Sequence, residues 1–112
     1  MYEHGSAGRP RGPRVRFGDL GELRREVWRL LDDMAMEVDW EHLAQERHRV
    51  SEDEIRAVLF DGVYSFHEDV EGRFVARWGL HSGGLFFTVI FEILEVRGER
   101  HLRVLTAFPG RR

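Results

Sequence analysis

The sequence predicts an α+β domain in which N-terminal helices precede a four-stranded antiparallel β-meander over about residues 62–109. Three observations carry this. Apolar residues recur at helical spacing before Gly62, they alternate with a period of two after it, and short glycine turns punctuate the second half. At 112 residues, 42% apolar and 12% aromatic, the chain has the material for one hydrophobic core.

Residues 1–16 contain Pro10, Pro13, three glycines and Arg9, Arg11, Arg14 and Arg16, with little apolar content, and read as a flexible basic arm. From residue 17 onward the chain reads as one domain. Leu20, Leu23, Val27, Leu30, Leu31 and Met34 fall on one face and predict an amphipathic helix over 19–36. That helix can pack on its own sheet or join a second copy. Asp39 is placed to cap a shorter helix over 39–47. Ser51 and Glu54 form a capping box ahead of Ile55, Val58, Leu59 and Phe60, and Gly62 is expected to end that third helix in a left-handed conformation.

Strands are expected at 63–70, 73–82, 85–96 and 100–108, joined by Glu71-Gly72, Gly83-Gly84 and Arg97-Gly98-Glu99. In sequence order the first and last of these are edges. Leu85–Phe91 is apolar on both faces over most of its length, which predicts a central strand covered on both sides.

The composition excludes several function classes. There is no cysteine, hence no disulfide frame or thiolate metal site. The N-terminus lacks a signal-peptide core and no apolar run approaches the ~20 residues of a membrane span, so the expectation is a cytoplasmic protein without membrane contact. All 17 basic residues are arginine, for which GC-rich coding is the simplest cause. Each is a planar guanidinium that grips carboxylate or phosphate in two places. A net charge of −3 confines any nucleic-acid site to a local patch.

Strand alternation supplies such a patch. It puts Arg73, Arg77 and His81 on the face opposite Phe74, Ala76 and Trp78, and sets His67 opposite Phe66. It also sets His101 and Arg103 opposite Leu102, Val104, Thr106 and Phe108. With aligned registers these arginines and histidines bind RNA phosphates, while an imidazole moves protons during attack of a 2′-hydroxyl on its own phosphate, which needs no metal. The competing reading is a solvated face whose arginines pair with Glu68, Asp69, Glu92 and Glu95. The six histidines offer only His42-x-x-x-Glu46 and His67-x-Asp69 as ligand pairs, so no metal or other cofactor is expected.

Several short strings resemble a known family. Val38-Asp39-Trp40 through Glu46-Arg47-His48, Val50-Ser51 with Asp53-Glu54-Ile55, Val58-Leu59-Phe60-Asp61, Gly72-Arg73-Phe74, Gly79 and Leu102–Ala107 resemble the BrnT-like toxins. These belong with the RelE-type ribonucleases of bacterial type II toxin–antitoxin systems. The resemblance spans about residues 36–108. It implies a RelE-like helix–sheet fold, mRNA endoribonuclease activity with the ribosome or free mRNA as partner, and neutralisation by a cognate antitoxin. It also implies that His48, Arg73 and Arg103 carry phosphate contact and proton transfer; strand alternation, not the resemblance, adds Arg77, His81, His67 and His101 as RNA-binding neighbours. The alternative is a non-catalytic protein- or RNA-binding module of the same fold, which dimerises through helix 19–36.

Overall fold

A computed structural model describes residues 12–45, 50–79 and 85–111. The elements run α1 (Leu20–Asp32), β1 (Met36–Val38), α2 (Trp40–Gln45), α3 (Glu52–Asp61), β2 (Val63–Phe66), β3 (Arg73–Gly79), β4 (Leu85–Val96) and β5 (Glu99–Arg111). The α+β class holds, but the sheet has five strands in the order β1-β5-β4-β3-β2 and is mixed. β2 through β5 form the antiparallel part, while β1 lies parallel to β5, Met36 opposite Leu102 and Val38 opposite Val104. The four-stranded meander is therefore corrected: β5 is an interior strand, and the edges are β1 and β2.

β1 arises where the first helix was expected to continue. α1 stops at Asp32, Met34 takes a left-handed φ of 58°, and the Met34 and Ala35 amides donate back to the Leu31 and Leu30 carbonyls. This is a Schellman ending with methionine where glycine is usual, so the sequence carried no stop signal. Three residues of strand follow, too few for periodicity to register.

The other helix boundaries follow their caps. The Asp19 carboxylate accepts from the Gly21 amide at 2.7 Å, and that of Asp39 from the His42 amide at 3.1 Å. Ser51 and Glu54 form the reciprocal box. Gly62 ends α3 in extended rather than left-handed backbone, at φ −74° and ψ 168°. Its glycine answers a close approach instead, since a Cβ there would lie 2.4 Å from the Val58 carbonyl oxygen and 2.9 Å from that of Arg77. The Arg97-Gly98 turn does use positive φ at both positions, 54° and 79°, as a two-residue hairpin requires.

The core lies between the helices and one face of the sheet. Leu23, Val27 and Leu30 of α1 and Ile55, Val58 and Leu59 of α3 meet Phe74, Ala76, Val89, Phe91, Ile93, Leu102, Val104 and Ala107. Tyr64 and Phe74 pack against the central Phe91 ring at 5.8 and 5.6 Å. Helices cover one face of β4; on the other face, which no helix among the described residues covers, Thr88, Glu92 and Leu94 are nonetheless buried and Ile90 is partly exposed.

The arm expected to be free through residue 16 is held at its inner end. The Val15 amide donates to the Ile93 carbonyl and the Glu95 amide to that of Pro13, extending the line of β3 along β4. Among the described residues no helix is long and apolar enough to cross a membrane.

Candidate functional site on the open sheet face

The face turned away from the helices gathers the residues singled out from the sequence. Arg73, Val75 and Arg77 of β3 project there beside Glu92, Ile90 and Thr88 of β4, with His101 and Arg103 following from β5. His67, just past β2, joins them. His48 and His81 lie outside the described residues.

One feature of β5 overturns the expected sorting of its side chains. A bulge between Ile90 and Phe91 lets β5 pass Leu105 without a partner on β4. Before the bulge Leu102 and Val104 face the core and Arg103 faces out. After it the phase inverts, so that Ala107 is core while Thr106 and Phe108 stand opposite Ile90 and Thr88 on the open face. Strict alternation had assigned Phe108 to the core.

The polar side chains on this face are not a continuous cationic patch. Across four strands the partners run Arg73, Glu92, Arg103, Glu37, alternating in sign. Glu92 is buried and receives the Arg14 Nε at 2.8 Å, with Arg73 Nε at 3.7 Å. Arg103, its side chain only 7% exposed, reaches Asp39 with Nη2 at 3.2 Å and Glu37 with Nε at 3.8 Å. His101 Nε2 stands 3.6 Å from Glu37 as well. The acids that balance Arg103 sit on and just after β1, the strand that periodicity missed.

A different arrangement occurs at the other end of the face. Ser65, Phe66, His67, Glu68, Asp69, Arg77, Thr88 and Phe108, with Val75 and Ile90, line a hollow of about 410 Å³. Arg77 is exposed and makes no ion pair among the described residues. His67 Nδ1 accepts from the Asp69 and Val70 amides, both at 3.1 Å. That network assigns the neutral ring its proton on Nε2, leaving a donor. Because Nδ1 is occupied in this way, the His67-x-Asp69 pair is a turn and not a ligand pair. Among the described residues no group of three or more His, Asp or Glu side chains converges as a metal site would require.

The hollow therefore offers a cation, a hydrogen-bond donor, a serine hydroxyl and an aromatic ring, together with the exposed acidic residues Glu68 and Asp69. Arg77 can take one phosphate and the Phe108 ring one base, against the repulsion of Glu68 and Asp69 in the same lining.

Comparison with protein-family models, with curated proteins and with solved structures finds no match for this chain.

Proposed function

We propose that the open sheet face binds single-stranded RNA, and that the chain acts on mRNA without a metal, as a BrnT/RelE-like toxin held in check by a cognate antitoxin. The observation that supports this reading most is the hollow that unites Arg77, His67, Ser65 and Phe108. Phosphate neutralisation by Arg77 and stacking on Phe108 together give sequence-tolerant affinity.

Cleavage asks more of the site. Attack of a 2′-oxygen on the adjacent phosphorus forms a new P–O bond as the bond to the 5′-oxygen breaks. The hydroxyl proton must go to a base, and the leaving oxygen must receive one from an acid. His67 Nε2–H, on a ring whose Nδ1 accepts from two amides, can hydrogen-bond a phosphate oxygen beside Arg77 but is not the acid, which leaves both proton transfers to His48. The resemblance assigns the acceptor to His48, with Arg73 and Arg103 on the phosphate.

A second reading, a binding module without catalysis, is favoured by one specific observation. Arg103 is buried, hydrogen-bonded to Asp39 and ion-paired with Glu37, and its Nε, which has no hydrogen-bond partner, is itself shut off from solvent, so that guanidinium is poorly placed to meet a substrate.

Fluorescence anisotropy with a labelled single-stranded RNA, together with a gel cleavage assay in EDTA, tests both. On the toxin reading, expression arrests growth, RNA is cut with chelator present, and cutting is lost in Arg73→Ala and His48→Ala. On either reading Arg77→Ala and Phe108→Ala each weaken binding by about tenfold, the worth of one stacked base or one phosphate contact. Binding without cutting leaves the module. Absence of RNA binding at low salt sinks the proposal.

A further inference from the structure

A second surface, on the helical side, is independent of the RNA reading. α1 turns Leu23, Val27, Leu30 and Leu31 inward and leaves Arg25, Trp28 and Asp32 on the outward stripe. α3 lies alongside it in the opposite direction, with Arg56 donating to the Leu31 carbonyl at 3.0 Å and Trp28 Nε1 to the Phe60 carbonyl at 3.2 Å. Between them runs an open groove of about 970 Å³.

Trp28 and Phe60 stack at 5.0 Å on the groove wall, yet remain 42% and 51% exposed, and Met34 beside them is 81% exposed. Together they form an exposed apolar patch, and the largest such patch on a monomer is often functional.

The charges on the stripe decide what covers it. Arg25 and Asp32 are seven residues, or two turns, apart on one stripe, and neither has an ion-pair partner among the described residues. A two-fold axis across α1, midway between Trp28 and Arg29, sets Arg25 against the second copy's Asp32 and Asp32 against the second copy's Arg25. A ligand of single charge sign would match one of these groups and oppose the other, whereas an isologous contact matches both.

We propose that the α1–α3 groove is the surface on which two copies of this chain associate, through antiparallel packing of their α1 helices. One helix of this length with its flanking aromatics buries on the order of 600 Å² per copy, at the small end of specific interfaces, so the dimer is reversible and concentration-dependent.

Sedimentation equilibrium on the full chain, from about 1 to 500 μM, spans the range in which an interface of this size dissociates. The expected result is a rise from the 13.2 kDa monomer toward twice that mass. Arg25→Asp alone, or Asp32→Arg alone, turns two attractions into two repulsions and weakens association at least about tenfold. The double variant, Arg25→Asp with Asp32→Arg, restores it to within about threefold of the parent, because the pairs re-form with signs exchanged. Since the double variant carries both substitutions, its recovery also excludes misfolding as the cause of either single effect. A monomer at every concentration overturns the proposal and leaves the groove to a different protein. A dimer indifferent to the single reversals, or not restored by the double, overturns it equally.

Discussion

Asp39 makes two contacts that a short series of substitutions can separate. Its Oδ1 caps α2 through the His42 amide, and its Oδ2 accepts from the guanidinium of Arg103, whose side chain is 7% exposed. Loss of an N-cap costs about 1 kcal/mol. Breaking a fully buried ion pair by removing one partner costs about 3–5 kcal/mol. Here Glu37 stays 3.8 Å from Arg103, and Asp39 is itself 30% exposed, so about 2 kcal/mol is the appropriate share. Asp39→Ala is thus expected to lose about 3 kcal/mol, a large part of the 5–15 kcal/mol that a domain of this size has. Asp39→Ser keeps the cap and loses about 2 kcal/mol, and Asp39→Asn, which keeps the cap with its one oxygen but turns its NH2 toward Arg103, loses at least about as much. Arg103→Met is milder than Asp39→Ala, because the carboxylates it abandons reach water whereas an abandoned Arg103 does not. Urea unfolding at neutral pH, with unchanged slope across the series, measures these differences. An Asp39→Ala loss below about 1 kcal/mol, or a serine variant no better than alanine, refutes the division into cap and buried pair.

Glu26 accepts hydrogen bonds from Arg29 and Arg100, and these, Arg29 first, hold its carboxyl below the usual 4.5. A lowered folded-state value means that its contribution is complete above about pH 5 and lost as pH falls through that value. The stability gap between the parent and Glu26→Gln should therefore shrink as pH falls below about 5, and a gap that stays constant on acidification contradicts the pairing. Gly62→Ala sets a Cβ against two backbone carbonyls and should cost about 2–3 kcal/mol by urea titration; a neutral effect would show that α3 and β3 move apart at little cost. Met34→Gly removes a left-handed non-glycine residue whose exposed side chain packs on little, and should stabilise the domain by about 0.5 kcal/mol, read calorimetrically as a melting temperature higher by about 2–4 °C.

Much of the fold was legible because it is local. Helical spacing in Leu23–Leu31, the Ser51–Glu54 box and the Arg97-Gly98 turn each declare their structure within a few residues, and the two faces of β3 follow from alternation alone. The site was legible to the same depth. Arg73, Arg77, Arg103, His67 and His101 do share one face.

What they do there depended on residues that local patterns do not connect to them. Phe108 enters the hollow because a bulge at Leu105 inverts the phase of β5, and nothing in that stretch marks the extra residue. Ser65 and Thr88 likewise become visible only once β2, β3 and β4 are set in register.

The sequence by itself determined the apolar stripes, the caps and turns, and the set of cations available to one face, because these depend on neighbours within one or two turns of chain. Tertiary structure alone decided that β1 lies beside β5 and that Asp39 meets Arg103 across 64 residues. Pairing over such separations is fixed by the closure of the whole core, with a strand too short to show a period and a helix end lacking its usual glycine. That closure makes Arg103 a neutralised, buried charge and leaves Arg77 as the exposed cation in the hollow.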